Sequence, residues 1–175
     1  MNTYLIYGLI CALSNFVFNV ILYILGLHSD PSKLGFANTL GMLGSAAIAA
    51  TAIYLGQKVV RSKAPSDAGF SFGQALTAGF LISVTAGLFG ILTNYIYMVY
   101  INPNFKEIII QFQLDKLAAR GISGPALDQA EKGMRMFMKP MMQSVFAVFG
   151  TVSIGTIASL VTSFFVKRSG VKTNS

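Results

Sequence analysis

Four windows of the sequence, about 4–27, 34–55, 72–101 and 141–166, contain no Asp, Glu, Lys, Arg or His. As α-helices rising about 1.5 Å per residue, each is long enough to cross a hydrocarbon core about 30 Å thick. Lipid offers no partner to a free N–H or C=O, and a helix satisfies both within itself. The pattern predicts an all-α membrane protein with four transmembrane helices and an extramembrane helical segment, about 102–139, between the third and fourth spans. The whole chain, 1–175, reads as a single membrane domain. Composition points the same way, with 54% hydrophobic and 11% charged residues. A soluble domain carries about a quarter charged residues, and this balance on a soluble fold would leave large apolar patches. The first window is expected to be a retained helix rather than a cleaved leader. No Lys or Arg precedes it, its apolar run is long, and no A-x-A-like site follows.

The net charge of +7 excludes less than it suggests. Nucleic-acid binders gather Lys and Arg on one soluble face. Here the basic residues flank apolar spans, where lipid headgroups are the natural partner. The expected partners are the lipid bilayer and either another membrane protein or a second copy of this chain, with no nucleic acid. Cys11 is the sole cysteine, so there is no internal disulfide, and a small buried thiol is the plain reading.

The connections carry local signals. Asp30-Pro31 is a helix start, with a carboxylate to accept from free N–H groups and a proline where no N–H is needed. Gln57 to Phe70 reads as a polar loop, with Lys58, Arg61 and Lys63 against Asp67 and with Pro65 and Gly69 to break a helix. Ser71-Phe72-Gly73-Gln74 fits a capping box opening the third span. That span is overlong for the core, and Tyr95, Tyr97 and Tyr100 at its end read as an interfacial aromatic belt. In the extramembrane segment, helices are expected at about 103–120 and 125–139, broken at Gly121-Ile122-Ser123-Gly124. The first shows two apolar strips, one of Phe105, Ile108, Ile109 and Phe112 and one of Ile110, Leu114 and Leu117. The second is a clean amphipath, with Asp128–Lys132 and Glu131–Arg135 spaced as ion pairs. Lys167-Arg168 closes the fourth span, and Ser169–Ser175 reads as a polar tail.

Four spans put both termini on one side. The loop after the second span and the C-terminal tail each carry three basic residues close to span ends, so that side is expected to be cytoplasmic.

Small residues recur at four-residue spacing: Gly41, Ser45 and Ala49 on the second span, Gly79, Ser83 and Gly87 on the third, and Thr151, Gly155, Ser159 and Ser163 on the fourth. Such ridges let helix backbones approach in lipid, where no hydrophobic drive holds helices together. Intramolecular packing is the expected role. Asn15, Asn19, Asn38 and Asn94 are the other intramembrane features. They are expected to bond between helices, with a polar cavity as the alternative. No Asp, Glu, Lys, Arg or His lies within the windows, which argues against a proton-coupled transporter.

Met134, Met136, Met138, Met141 and Met142 cluster around Pro140. Thioethers suit Cu(I), but adaptable packing is the preferred reading. His28-Ser29-Asp30 has triad residue types without the spatial convergence a triad needs. No zinc spacing, phosphate loop or dinucleotide fingerprint is present. No catalytic residue, cofactor or metal site is therefore expected.

Phe70-Ser71-Phe72-Gly73-Gln74-Ala75, the long segment in which Gly121 precedes a Glu- and Met-bearing helix, and Pro140 leading into the fourth span together resemble the bacterial four-span membrane proteins grouped as domain of unknown function 4199. The resemblance covers nearly the whole chain. It implies an integral membrane location, in the bacterial inner membrane, and supplies no activity, cofactor or catalytic residue. The leading functional expectation is a non-enzymatic subunit, scaffold or modulator of a membrane complex. The alternative is a small transporter, channel or lipid-binding protein acting as an oligomer.

Overall fold

The computed structural model describes residues 2–65 and 69–169, with the side chains of Pro140, Met141 and Ser144 set aside. Asp67, the tail beyond Ser169 and the thioether of Met141 lie outside the described residues. Six α-helices follow one another: α1 (Thr3–Ile24), α2 (Leu34–Lys63), α3 (Phe72–Ile96), α4 (Phe105–Ala119), α5 (Pro125–Phe137) and α6 (Pro140–Val166). Four stretches, Thr3–Ile24, Pro31–Lys63, Phe72–Ile101 and Val145–Val166, are long and apolar enough to cross a membrane. The chain is an all-α, multi-pass membrane protein.

The helix ends follow local chemistry. Asn2 caps α1, its side chain accepting from the Tyr4 N–H at 3.2 Å. At the other end Gly26 adopts φ 72°. The Leu27 N–H then reaches back to the Leu22 carbonyl and the Gly26 N–H to that of Tyr23, the αL closure that satisfies orphan carbonyls. Asp30 accepts from the Ser32 N–H at 2.9 Å and opens the short turn Pro31–Lys33 ahead of α2. The Ser71–Gln74 capping box is complete, with bonds of 3.2 and 2.8 Å.

Two sequence expectations are corrected. The polar loop does not begin at Gln57, because α2 runs on to Lys63. Gln57 is wholly buried, and the breakers Pro65 and Gly69 stand beyond the helix end. The aromatic belt loses Tyr97. Tyr95 and Tyr100 are exposed, but Tyr97 is 4% exposed. The last turn of the third span widens into a π-helix over Tyr97–Ile101, in which the Asn102 N–H bonds the Tyr97 carbonyl at 2.8 Å.

In the bundle α1 packs on α2 and α3, and α6 packs on α2 and α3, with α2 and α3 also in contact across the middle. Small residues set these approaches. A Cβ built at Gly8 would stand 2.5 Å from Thr85 Cβ, and one at Gly44 would strike the Phe18 ring. Positions Gly79 and Gly155 abut Ser159 and Ser83 across the α3–α6 seam, so the two ridges cross glycine on serine. Gly87 packs against Val148, with 3.3 Å to an added Cβ.

The end of the bundle that carries the chain termini is laced by polar bonds. Phe70 and Arg168 exchange backbone bonds of 2.7 and 2.8 Å. Arg61 donates to the Val166 carbonyl at 3.1 Å and Lys63 to the Thr3 hydroxyl at 2.7 Å. At the other end α4 and α5 form a helical hairpin. Arg135 joins them, bonded to Glu131 at 2.8 Å and to Glu107 at 2.9 Å. The expected Asp128–Lys132 pair is not among the ion pairs of the described residues. Of the two apolar strips of α4, only Ile110 is fully buried.

Candidate functional site

Between the spans lies a cavity of about 270 Å³. Its wall is mostly apolar but carries Asn15 and Asn19 from α1, Ser45 from α2, Thr93 and Asn94 from α3 and Thr151 from α6. Cys11, Ala49, Ala86 and Ile154, each near the middle of its helix, lie at the deep end. Asn19, Asn94, Tyr97 and Phe105 lie toward the α4–α5 hairpin. The cavity therefore occupies the half of the bundle nearest that hairpin. Among the described residues no Asp, Glu, Lys, Arg or His lines it.

The asparagines reach this wall without bridging helices. Asn15 donates to the Cys11 carbonyl at 3.0 Å and Asn19 to the Asn15 carbonyl at 2.8 Å. Asn94 sits 3.8 Å from the Met98 sulfur. Each of these bonds stays within its own helix, contrary to the interhelical pairing expected from sequence. The reason is spacing: a side chain reaching back to the carbonyl four residues earlier is the nearest acceptor on a helix in lipid. Among the described residues no protein donor reaches the side-chain oxygens of Asn15 and Asn19, which leaves two acceptors for a guest. Asn38 stands apart, exposed on α2. The ridge of α2 also differs from its expected role. Ser45 and Ala49 line the cavity, and Gly41 meets only Leu22, 3.9 Å from an added Cβ.

The end of the cavity nearest the hairpin is closed by a cluster that sequence reading missed. His28 is 4% exposed, and its Nδ1 lies 2.6 Å from the Tyr97 hydroxyl. Asn102 donates to the His28 carbonyl at 2.9 Å and to the Tyr97 oxygen at 3.4 Å. The Phe105 ring packs on His28 and Tyr97 with centroids 4.7 and 5.4 Å away. The phenol oxygen accepts from Asn102 and shares one further hydrogen bond with Nδ1, whose direction follows the imidazole tautomer. Burial holds the His28 pKa below the usual 6.5. The available signals were that His28 is the sole histidine and that Tyr97 lies where the helix must turn.

At the deep end the wall gives way to apolar packing. Ile53 and Ile82 are 1% and 0% exposed and belong to one cluster with Cys11, Ala49, Ala52 and Ala86. One turn beyond Ile53 lies Gln57, which donates to the Ala75 carbonyl at 2.9 Å and to the hydroxyls of Ser163 and Ser159 at 3.1 and 3.2 Å. Among the described residues its Oε1 has no partner.

A second, open groove lies between α4, α5 and the start of α6, lined by Leu117, Met134, Phe137, Met138 and Phe146 among others. Met134 and Met138 thus line one surface, and Gln143 donates to the Met138 sulfur. Among the described residues no three His, Cys, Asp or Glu side chains gather closely enough to hold a metal.

Fold and site define a four-span helical membrane protein with a mostly apolar cavity between the spans that carries asparagine side chains. The chain matches the family described as "Protein of unknown function (DUF4199)" over residues 6–168 and belongs to it. No curated protein and no solved structure matches the chain.

Proposed function

We propose that this protein is a non-enzymatic membrane protein that holds a small uncharged, hydrogen-bonding molecule inside the bilayer. The observation that carries this reading is the convergence of Asn15, Asn19 and Asn94 on one cavity whose wall holds no charged side chain. An ion would find no counter-charge there, and a fully apolar guest would leave the amide groups without partners. A small polyol or amide meets both conditions. A binding or transport role is supported over an enzymatic one because the Cys11 thiol and Tyr97 phenol stand on a wall where, among the described residues, no Asp, Glu, Lys, Arg or His serves them as acid or base. The test is saturation-transfer NMR on the protein in lipid nanodiscs with glycerol as probe. Transfer is expected for the wild type and is expected to vanish in Asn15→Leu/Asn94→Leu. Equal transfer in both proteins would defeat the reading.

A second reading, a subunit or modulator of a membrane complex, draws support from the apolar groove beside Met134, Phe137 and Phe146. In-cell cross-linking from Phe137 to a neighbouring protein would favour it. For location we infer the bacterial inner membrane, with both termini cytoplasmic. Basic residues near span ends support that orientation, and cysteine labelling at Ser169→Cys against Ser123→Cys in intact cells tests it.

A further inference from the structure

Along one face of α2, residues four apart change character in sequence: Ser45 and Ala49 line the cavity, Ile53 is sealed in the core, and Gln57 is buried and polar. The same order runs down the neighbouring helices. On α3, Asn94 and Ala86 line the cavity, Ile82 is fully buried, and the Ala75 carbonyl accepts from Gln57. On α6, Thr151 and Ile154 line the cavity, and Ser159 and Ser163 meet Gln57. Ile53 and Ile82 close the space between. The Ile82 tip lies 2.5 Å from a Cβ placed at Gly56, and the Ile53 tip lies 3.5 Å from one placed at Gly155. The interior thus holds a mostly apolar cavity carrying three asparagines, an apolar septum, and beyond it a closely packed polar cluster whose Gln57 Oε1 has no partner among the described residues. A buried acceptor left without a donor costs free energy that a guest donor would recover.

We propose that the cavity and the Gln57 station are two stops on one path through the bundle, separated by the Ile53–Ile82 septum, and that a small uncharged polyol or amide passes along it. This rests on the ligand reading above. The guest offers hydroxyl or amide protons to Asn15, Asn19 and then Gln57, and carries no charge because neither station offers a counter-ion. The septum sets the rate. Beyond Gln57 the path reaches Arg61, which is held on the Val166 carbonyl at the end of the bundle that carries the chain termini.

The test is glycerol entry into liposomes carrying the purified protein, followed by stopped-flow light scattering. Wild-type vesicles are expected to admit glycerol faster than protein-free vesicles. Ile53→Ala is expected to raise the protein-dependent rate on the order of tenfold, the factor that about 1.4 kcal/mol of barrier represents. Ile53→Val, a smaller change that keeps the core filled, is expected to give an intermediate rise and carries the test if the alanine variant misfolds. Gln57→Leu is expected to slow entry while leaving glycerol saturation transfer in the cavity intact. Protein-free rates in the wild type and both Ile53 variants, with cavity saturation transfer preserved, would overturn the path and leave the ligand reading standing. Loss of saturation transfer in the wild type would overturn both.

Discussion

His28 and Tyr97, 69 residues apart, meet in a 2.6 Å hydrogen bond between Nδ1 and the phenol at the hairpin end of the cavity. The bond ties the turn after α1 to the π-helical end of the third span and stands over the chamber that Tyr97 and Phe105 line. A π-turn inside a helix commonly marks a functional position. Here it begins at Tyr97, which continues the inward face of Ala86, Gly90, Thr93 and Asn94 and whose phenol reaches His28 and Asn102.

The burial of His28 makes stability depend on pH. The folded site holds the His28 pKa below the 6.5 of an ordinary imidazole. Between the two values the unfolded chain binds a proton that the folded site resists, so stability rises with pH in that window. The His28 contribution is fully present above about pH 6.5 and is lost as pH falls below it. Melting in nanodiscs should show Tm falling between pH 7 and 5, and His28→Gln should flatten the slope attributable to this residue. An unchanged slope in the variant would locate the titration elsewhere.

Tyr97→Phe keeps the ring packing on Phe105 and removes the hydroxyl. The hydrogen bonds to His28 Nδ1 and from Asn102 are both lost, leaving buried polar groups without a partner, a cost of about 1–3 kcal/mol. The expected outcome is a lower Tm together with faster amide exchange in residues 25–30, since those are the residues the bond anchors. A loss of Tm without faster exchange there would show that the hydroxyl acts by some other contact.

Ser83 sits where α3 and α6 approach most closely, against Gly155. Ser83→Ile would add branched bulk against a helix backbone that has no room to give, and overpacking of this kind costs about 1–3 kcal/mol. Tm in detergent should drop, and the α3–α6 seam should lose its protection first. Wild-type melting would contradict the crossing of glycine on serine as the contact that sets this seam.

Arg135 bonds both Glu107 and Glu131 on exposed surface. Exposed ion pairs contribute little to global stability. Arg135→Ala is therefore expected to leave Tm unchanged while raising amide exchange along α5. A large fall in Tm would mean that the hairpin braces the bundle.

Much of the architecture was legible from the sequence because it follows from single-residue physics. Charge-free windows mark spans, Asp30-Pro31 and Ser71–Gln74 mark helix starts, and Gly121–Gly124 marks the break between α4 and α5. What the sequence concealed depends on which face of a helix looks inward. Gln57 reads as loop by polarity, yet it continues the Ser45–Ala49–Ile53 face of α2 and is therefore buried. Tyr97 reads as interfacial by residue type, yet it continues the Gly90–Thr93–Asn94 face of α3 and is therefore buried. The asparagines invited interhelical bonds, but Asn15, Asn19 and Asn94 found their partners within their own helices, and Asn38 stands exposed apart from the cavity. Local pattern cannot show where four helices splay apart, because that depends on the tight α3–α6 seam at one end and the hairpin at the other.

The most direct measurement is water-to-protein magnetisation transfer by solid-state NMR in lipid bilayers, read at the side-chain amides of Asn15, Asn19 and Asn94. A polar intramembrane chamber predicts water cross-peaks at all three, with none at the buried apolar methyls of Ile53 and Ile82. Dry asparagine amides at that depth would contradict the chamber and with it the proposed ligand site.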